Sequence, residues 1–267
     1  MKRLISFDIK ADFGFLKKPD TNAPIYLTYN MMHKPCVLGV LGAIMGYSGF
    51  KNNKNLPEYY DKLVTKQGIK IGIKPLDDEN GNFSKTTVKY NNSVGYANES
   101  TIDKDLNGKT ANIKYGATIN VVEQILIKPS YRIYLLTDNQ ELIQRIQNCE
   151  AEFLPYLGKN DFSLWWENAQ FYDFEKFESQ DSYQVSSIFM KKMIVKDGVE
   201  RDDDMDFLEM DFTGGEFMYF ERLPVGYDEE LYQYEYQPFV LTTFKLKEKY
   251  QIDNLYQLNN NEVIQVF

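Results

Sequence analysis

The sequence predicts an α+β fold, and two observations carry that expectation. Short alternating apolar stretches recur along the whole chain, whereas helix-period stripes end by Cys149. The elements before Phe171 run strand, helix, strand, excursion, strand, helix, strand, which is the order of a ferredoxin-like or RRM-type βαββαβ unit.

The first strand is LISFDIKADF from Leu4, with Ile5, Phe7 and Ile9 on one face, the period of a half-buried strand. FGFLKKPDTNAPIYLTYN follows as a long loop, with two prolines, a glycine, aromatics and lysines. KPCVLGVLGAIMG from Lys34 reads as a helix. Pro35 suits its first turn, and Val37, Leu38, Leu41, Ile44 and Met45 form an apolar stripe. Gly39, Gly42 and Gly46 each cost such a helix about 1 kcal/mol relative to alanine. Together they would make one smooth face, either for close approach of a sheet, backbone or phosphate or for ordinary tight packing. NLPEYYDKLVTK reads as a second short helix, and GIKIGIK, with Ile69, Ile71 and Ile73 alternating, as the second strand.

From Pro75 to about Lys128 the chain is rich in Asn, Lys, Thr and Gly, with turns at 80–82 and 107–109. Ala111, Ile113, Tyr115, Ala117, Ile119 and Val121 alternate with polar residues, so this excursion is expected to be a protruding β-hairpin, or else two strands joining the main sheet. YRIYLLTD from Tyr131 is a core strand. Asp138 is expected to begin a helix, with Glu141 in capping-box spacing and Leu142, Ile143, Ile146 and Cys149 as its buried stripe. A glycine turn and the fourth strand come next, within 153–171. Beyond them QVSSIFMKKMIVK, DFLEMDF, EFMYFERLP and YQPFVLTTFKLK are short β segments. The expected organisation is residues 1–171, with an insertion at about 75–128, and a β-rich region over 172–267.

At 267 residues and 43% hydrophobic the chain can bury a sizeable core without staples. Cys36 and Cys149 suit neither a disulfide framework nor paired metal ligands, which fits a reducing compartment. The longest apolar run, from Cys36 to Gly46, is too short for a bilayer, and no secretory block opens the chain, so a cytoplasmic, membrane-free protein is expected. The net charge of -9 argues against a nucleic-acid partner, but it hides an asymmetry. Residues 1–134 hold 19 Lys+Arg against 12 Asp+Glu (+7), and residues 135–267 hold 11 against 27 (-16). The basic half is suited to a phosphate backbone, the acidic half to solvent or a basic partner.

Familiar catalytic motifs are absent: GxSxG, HExxH and GxxxxGK[ST] do not occur, and His33 is the sole histidine. The run Asp202, Asp203, Asp204, Asp206 lacks the glycine and terminal glutamate of a calcium loop and reads as a solvated turn. No metal or cofactor is expected. His33, beside Tyr29 and Lys34, has the chemistry to deprotonate a ribose 2′-hydroxyl in a metal-independent ribonuclease, or simply to contact phosphate or cap the helix; no second base accompanies it. For RNA the relevant set is Lys10, Lys17, Lys18 and Lys34, interleaved with Phe13, Phe15, Tyr26 and Tyr29, because cations hold the backbone of single-stranded RNA and rings stack its bases.

These stretches resemble the Cas-five family of CRISPR Cascade subunits, within the superfamily of repeat-associated RRM-like proteins. ISFDIKADFGFLKK is similar to its first strand and loop, HKPCVLGVLGAIMG to its proline-to-glycine helix, and IKPSYRIYLLTD with PYLGKNDF to a later strand and glycine turn, over roughly residues 4–171. The resemblance implies a noncatalytic subunit, type I-B-like, that clamps the 5′ handle of the crRNA with its RRM-like domain. It implies a thumb at about 75–128, neighbouring Cascade backbone and large subunits as partners, and only indirect contact with target DNA. Carried onto this sequence, it puts Lys10, Phe13, Tyr29, His33 and Lys34 near the handle. Lys85, Lys89 and Lys114 fall on the thumb, and Arg132, Gly158 and Lys159 around the later strand and turn. In one subtype the family cleaves repeat RNA with a tyrosine, a lysine and a histidine; the thumb region here has no Lys-His pair.

Overall fold

A computed structural model describes residues 2–19, 24–50, 56–77, 80–94, 100–104, 110–114, 117–178, 181–191, 193–196, 199–202, 210–211, 214–231, 233–248, 250 and 252–267. The fold is mixed and mostly β. Strands β1 (Arg3–Ala11) and β2 (Phe13–Gly14) precede helix α1 (Lys34–Met45). Helix α2 (Glu58–Tyr60) runs on as a π-helical stretch over Asp61–Lys66, and β3 (Lys70–Pro75) follows. Next come β4 (Lys85–Val94), β5 (Ser100–Lys104), β6 (Thr110–Lys114), β7 (Ala117–Ile127), β8 (Ser130–Thr137), α3 (Gln140–Gln147) and β9 (Leu164–Tyr172). The remainder is β10 (Phe174–Lys176), β11 (Phe189–Met190), β12 (Met193–Lys196), β13 (Val199–Asp202), β14 (Met210–Asp211), β15 (Met218–Asp228), β16 (Gln233–Thr242), β17 (Lys245–Leu246), β18 (Leu255–Leu258) and β19 (Val263–Gln265).

The central sheet has the order β3-β8-β1-β9, antiparallel at every pairing. Alternation of side chains sends Ile5, Phe7 and Ile9 of β1, with Ile71, Ile73, Ile133 and Leu135 of its neighbours, into one core with Val37, Leu38, Leu41 and Ile44 of α1 and Leu142, Ile143 and Ile146 of α3. The half-burial expected for β1 is corrected. Its other face is covered too, because Leu4, Tyr134 and Leu136 pack against Leu258, Ile264 and Val266 from the end of the chain. That covering needs Gly72, since a Cβ there would sit 2.7 Å from the Gln265 carbonyl oxygen. The outer edge of β3 is closed in the same way, as Ile71 and Phe267 exchange both backbone hydrogen bonds at 3.0 Å.

Two helix boundaries differ from expectation. Asn139, not Asp138, caps α3, its Oδ1 accepting from the Leu142 amide at 3.0 Å. Cys149 lies past the helix, exposed and at φ 55, and so outside the buried stripe. The three glycines of α1 do not form one working face. Gly42 is pressed by the Tyr59 ring, Gly46 takes the left-handed C-cap at φ 71, and Gly39 alone is open, with nothing within 4 Å of an added Cβ.

The excursion is a hairpin rather than an extension of the central sheet. β4 pairs with β7 in a separate sheet, order β2-β7-β4, and β5 pairs with β6 farther along. Gly81 turns at φ 62 as expected; the 107–109 turn and Asp203, Asp204 and Asp206 lie outside the described residues, as do the side chains of Lys114 and Asp202. Of the expected β segments after Phe171, those at 184–196, 216–224 and 236–247 contain strands among the described residues, without a helix there; DFLEMDF lies outside the described residues except for Met210 and Asp211, which form β14.

Candidate functional site

At the base of the hairpin, rings and cations from three distant parts of the chain form a strip. The loop after β2 folds back on itself, with Tyr29 N–H donating to the Leu16 carbonyl (2.7 Å) and Lys18 N–H to that of Leu27 (2.8 Å), and Tyr26 then lies along β7, its N–H bonded to the Val122 carbonyl (2.9 Å). Lys17 Nζ sits 3.8 Å from the Tyr26 ring centroid. From the turn before β9, Lys159 Nζ sits 4.4 Å over the Tyr90 ring of β4, and Phe162 meets Phe13 at 5.9 Å. Gly158 makes the turn possible. It stands at φ 83, and a Cβ would fall 1.9 Å from the Phe15 carbonyl oxygen. Phe13, Tyr26 and Tyr90 remain substantially exposed.

Beside the strip runs a cleft of ≈ 510 Å³ along the open side of α1, whose floor includes Gly39 and whose far wall is Tyr59, Tyr227 and Tyr234. Lys17 and Gly158 line its near side. The Tyr59 and Tyr227 hydroxyls are 2.8 Å apart, and burial pushes Tyr59 up to about 12, so both stay protonated donors at neutral pH. The remaining wall is the segment after α3, held there because Glu152 and Phe153 donate to the last carbonyls of α1; it leaves Phe153, Leu154 and Tyr156 exposed.

The other sequence-predicted residues are dispersed. Lys10 is paired with Glu167 (3.1 Å), whose hydrogen bond raises its pKa, and with Asp77 (3.8 Å). Lys18 pairs with buried Glu221 at 3.1 Å, a carboxylate that also accepts from the Asn30 and Met31 amides. Arg132 forks onto buried Asp8 at 2.7 and 2.9 Å. Lys85 donates to the Asn30 and Asn82 side chains at 3.1 Å, and Lys159 is itself 2.9 Å from Glu123. Lys34 turns away from the cleft toward Phe267, its pKa lowered by burial and by Lys70. Lys17 and Lys89 are exposed and have no carboxylate partner among the described residues.

Tyr29 is buried, meeting the His33 ring edge-on at 5.3 Å. His33 itself is the N-cap of α1, its Nδ1 accepting from the Cys36 amide at 3.3 Å, and burial lowers its pKa to about 3. The imidazole is therefore neutral, with its proton on Nε2, and of the roles expected for His33 the helix cap is the one seen, at the cleft's edge. Among the described residues no three His, Cys, Asp or Glu side chains cluster to hold a metal, and no helix is long and apolar enough to cross a membrane. The expectation that the acidic half faces outward is also corrected in part, since Glu167, Glu221 and Glu262 pair with Lys10, Lys18 and Lys74 of the basic half.

Phe162, Tyr90 and Glu123 complete the strip, and no sequence signal singles them out. Nothing local marks them in a chain that is 15% aromatic. Phe162 alone lies inside one of the resemblance motifs, PYLGKNDF.

No known family model matches this sequence, and no curated protein does either. Among solved structures it is similar to a chain of a type III-B Cmr-β complex bound to cognate target RNA and AMPPnP, at 11% identity and TM-score 0.49, with 97% of this chain and 99% of that one covered. A chain of a CRISPR RNA-guided surveillance complex gives 11% identity and TM-score 0.46 over 92% and 91%. A CRISPR protein from Archaeoglobus fulgidus gives 11% and 0.43 over 100% and 99%. All three TM-scores lie below 0.5, so the functional reading rests on this chain's own residues.

Proposed function

We propose that this chain is a noncatalytic subunit of a type I CRISPR Cascade complex, an antiviral ribonucleoprotein, in which it binds the 5′ handle of the crRNA and caps the backbone filament beside the large subunit. The observation that carries this reading is the strip, which gathers Phe13, Lys17, Gly158 and Lys159, from two separate stretches of the family resemblance, beside a β4/β7 hairpin in the stretch where the resemblance implies a thumb. Rings at 4–6 Å from ammonium groups suit splayed bases with their phosphates close by. The strand order, second-third-first-fourth with helices after the first and third, is that of a ferredoxin-like unit and supports an RRM-like part over 1–171, onto which the β-rich region over 172–267 packs. The exposed Phe153, Leu154 and Tyr156 suit contact with a neighbouring subunit.

His33 supports the noncatalytic side of the reading. A general base works best with a pKa near the operating pH, and this imidazole lies far below it with one nitrogen already hydrogen-bonded. The test is incubation of the purified protein with labelled repeat RNA in magnesium-free buffer. Salt-sensitive binding of intact RNA, lost in Lys17→Glu, is expected. Clean cleavage abolished by His33→Ala would overturn the noncatalytic reading, and binding indifferent to Lys17→Glu would overturn the strip.

A further inference from the structure

A separate cavity of ≈ 530 Å³ lies where the end of β1, the start of β8 and β9 meet the hairpin, and it shares no lining residue with the cleft on α1. Asp12, Asp77, Lys128, Ser130 and Trp165 are among its walls. Three observations set it apart. Ser130 is 2% exposed, and its hydroxyl has no hydrogen-bond partner among the described residues, which is uncommon for a buried polar group. Asp77 and Lys128, both on the wall and neither a glycine, hold the left-handed backbone at φ 57 and 48, a conformation that collects at ligand clamps. Trp165 is 45% exposed, although its neighbour Trp166 is buried and donates to the Ile146 carbonyl.

From these we infer that the cavity binds a single nucleotide whose base carries an exocyclic amine. The Trp165 indole is a stacking surface for a flat ring. The Asp12 and Asp77 carboxylates accept hydrogen bonds, so they call for a ligand edge rich in N–H donors; an exocyclic amine supplies two N–H groups, whereas uracil offers only its single N3–H between two carbonyls. Lys128 answers the attached phosphate, and the ligand gives the Ser130 hydroxyl its missing partner. Lys10, also on the wall, stays protonated through its pairing with Glu167.

The chemistry is the same for a free mononucleotide and for one unit of an RNA chain, and the experiment separates them. Tryptophan emission is followed while the full chain is titrated with AMP, CMP, UMP and a short oligoadenylate. AMP or CMP is expected to change the emission saturably, with UMP at least roughly tenfold weaker, the usual discrimination from one well-made polar contact to a base. A saturable response to oligoadenylate alone that persists in Lys17→Glu and is weakened by Ser130→Ala assigns the cavity to RNA and also supports the inference. Ser130→Ala and Lys128→Gly are each expected to weaken binding several-fold, and Lys128→Gly should leave the melting temperature unchanged or raised, because glycine adopts that φ without strain. Absence of any saturable response, equal binding of AMP and UMP, or binding untouched by both substitutions would overturn it. Free mononucleotides report on this cavity whatever the strip does with longer RNA, so the two readings fail separately.

Discussion

The central sheet and the base of the hairpin use the same residue types in opposite ways. In and around the sheet, cations are bound internally: Arg132 forks onto Asp8, Lys18 reaches Glu221 across the fold, and Lys10 bridges Glu167 and Asp77. At the hairpin base Lys159 is likewise held by buried Glu123, but Lys17 lies on a ring instead of a carboxylate, and Lys89 is exposed with no carboxylate partner among the described residues. The difference lies in the partner's burial. A buried carboxylate such as Asp8 or Glu221 must be paired to be tolerated, so it claims the nearest cation, whereas exposed cations keep their charge for a ligand. A basic half in a sequence is thus an upper bound on the charge available to a ligand.

Four predictions sharpen or break that contrast. The largest effect is expected for Arg132→Ala, which leaves the Asp8 carboxylate buried with only the Asn168 amide beside it; urea unfolding should show a loss of about 3–5 kcal/mol. A loss under about 1 kcal/mol would mean that Arg132 is available to a ligand after all. Gly158→Ala should cost roughly 3 kcal/mol by thermal unfolding, from strain at φ 83 and the clash with Phe15, and should weaken RNA binding by misplacing Lys159.

The third prediction concerns pH. The pKa of His33 is lower folded (about 3) than the ordinary 6.5, so its contribution is complete above pH 6.5 and is lost as the unfolded chain takes up a proton at lower pH. Stability should therefore fall by about 1–2 kcal/mol between pH 6.5 and 5 from this group. His33→Asn, which keeps a capping side chain, should flatten that part of the profile; an unchanged slope would show that His33 is not held neutral. Smallest in stability is Lys89→Glu, expected within about ±0.5 kcal/mol of the parent. Its effect should appear in RNA binding instead, as a salt slope reduced by about one. A stability loss above 1 kcal/mol at Lys89, set against the ±0.5 kcal/mol usual for surface substitutions, would erase the contrast between the two regions.

Legibility divides along the same line. The strand from Leu4, the helix from Lys34, the alternating Ile69, Ile71 and Ile73 and the hairpin are readable because each is set by spacing within about a dozen residues. The strip is half readable: Lys17 and Tyr26 sit in one loop, but Phe162, Tyr90 and Glu123 arrive from other elements. The second face of β1 is not readable. Leu4, Ser6 and Asp8 look like the solvent side of a half-buried strand until the chain end, nearly the full sequence away, packs over Leu4, Tyr172 closes on Ser6, and Arg132 and Asn168 close on Asp8.

By itself, then, the sequence determined the order and type of the elements up to Phe171, the β character of the C-terminal region, and the pool of rings and cations that an RNA-holding protein needs. Only the tertiary structure decided which cations remain usable, that His33 is a neutral cap, and that Gly39 faces a cleft while Gly42 and Gly46 do not. Periodicity records which side of its own element a residue occupies. Burial and ion pairing depend on what approaches through space, and here the deciding partners are far along the chain, as with Lys18 and Glu221.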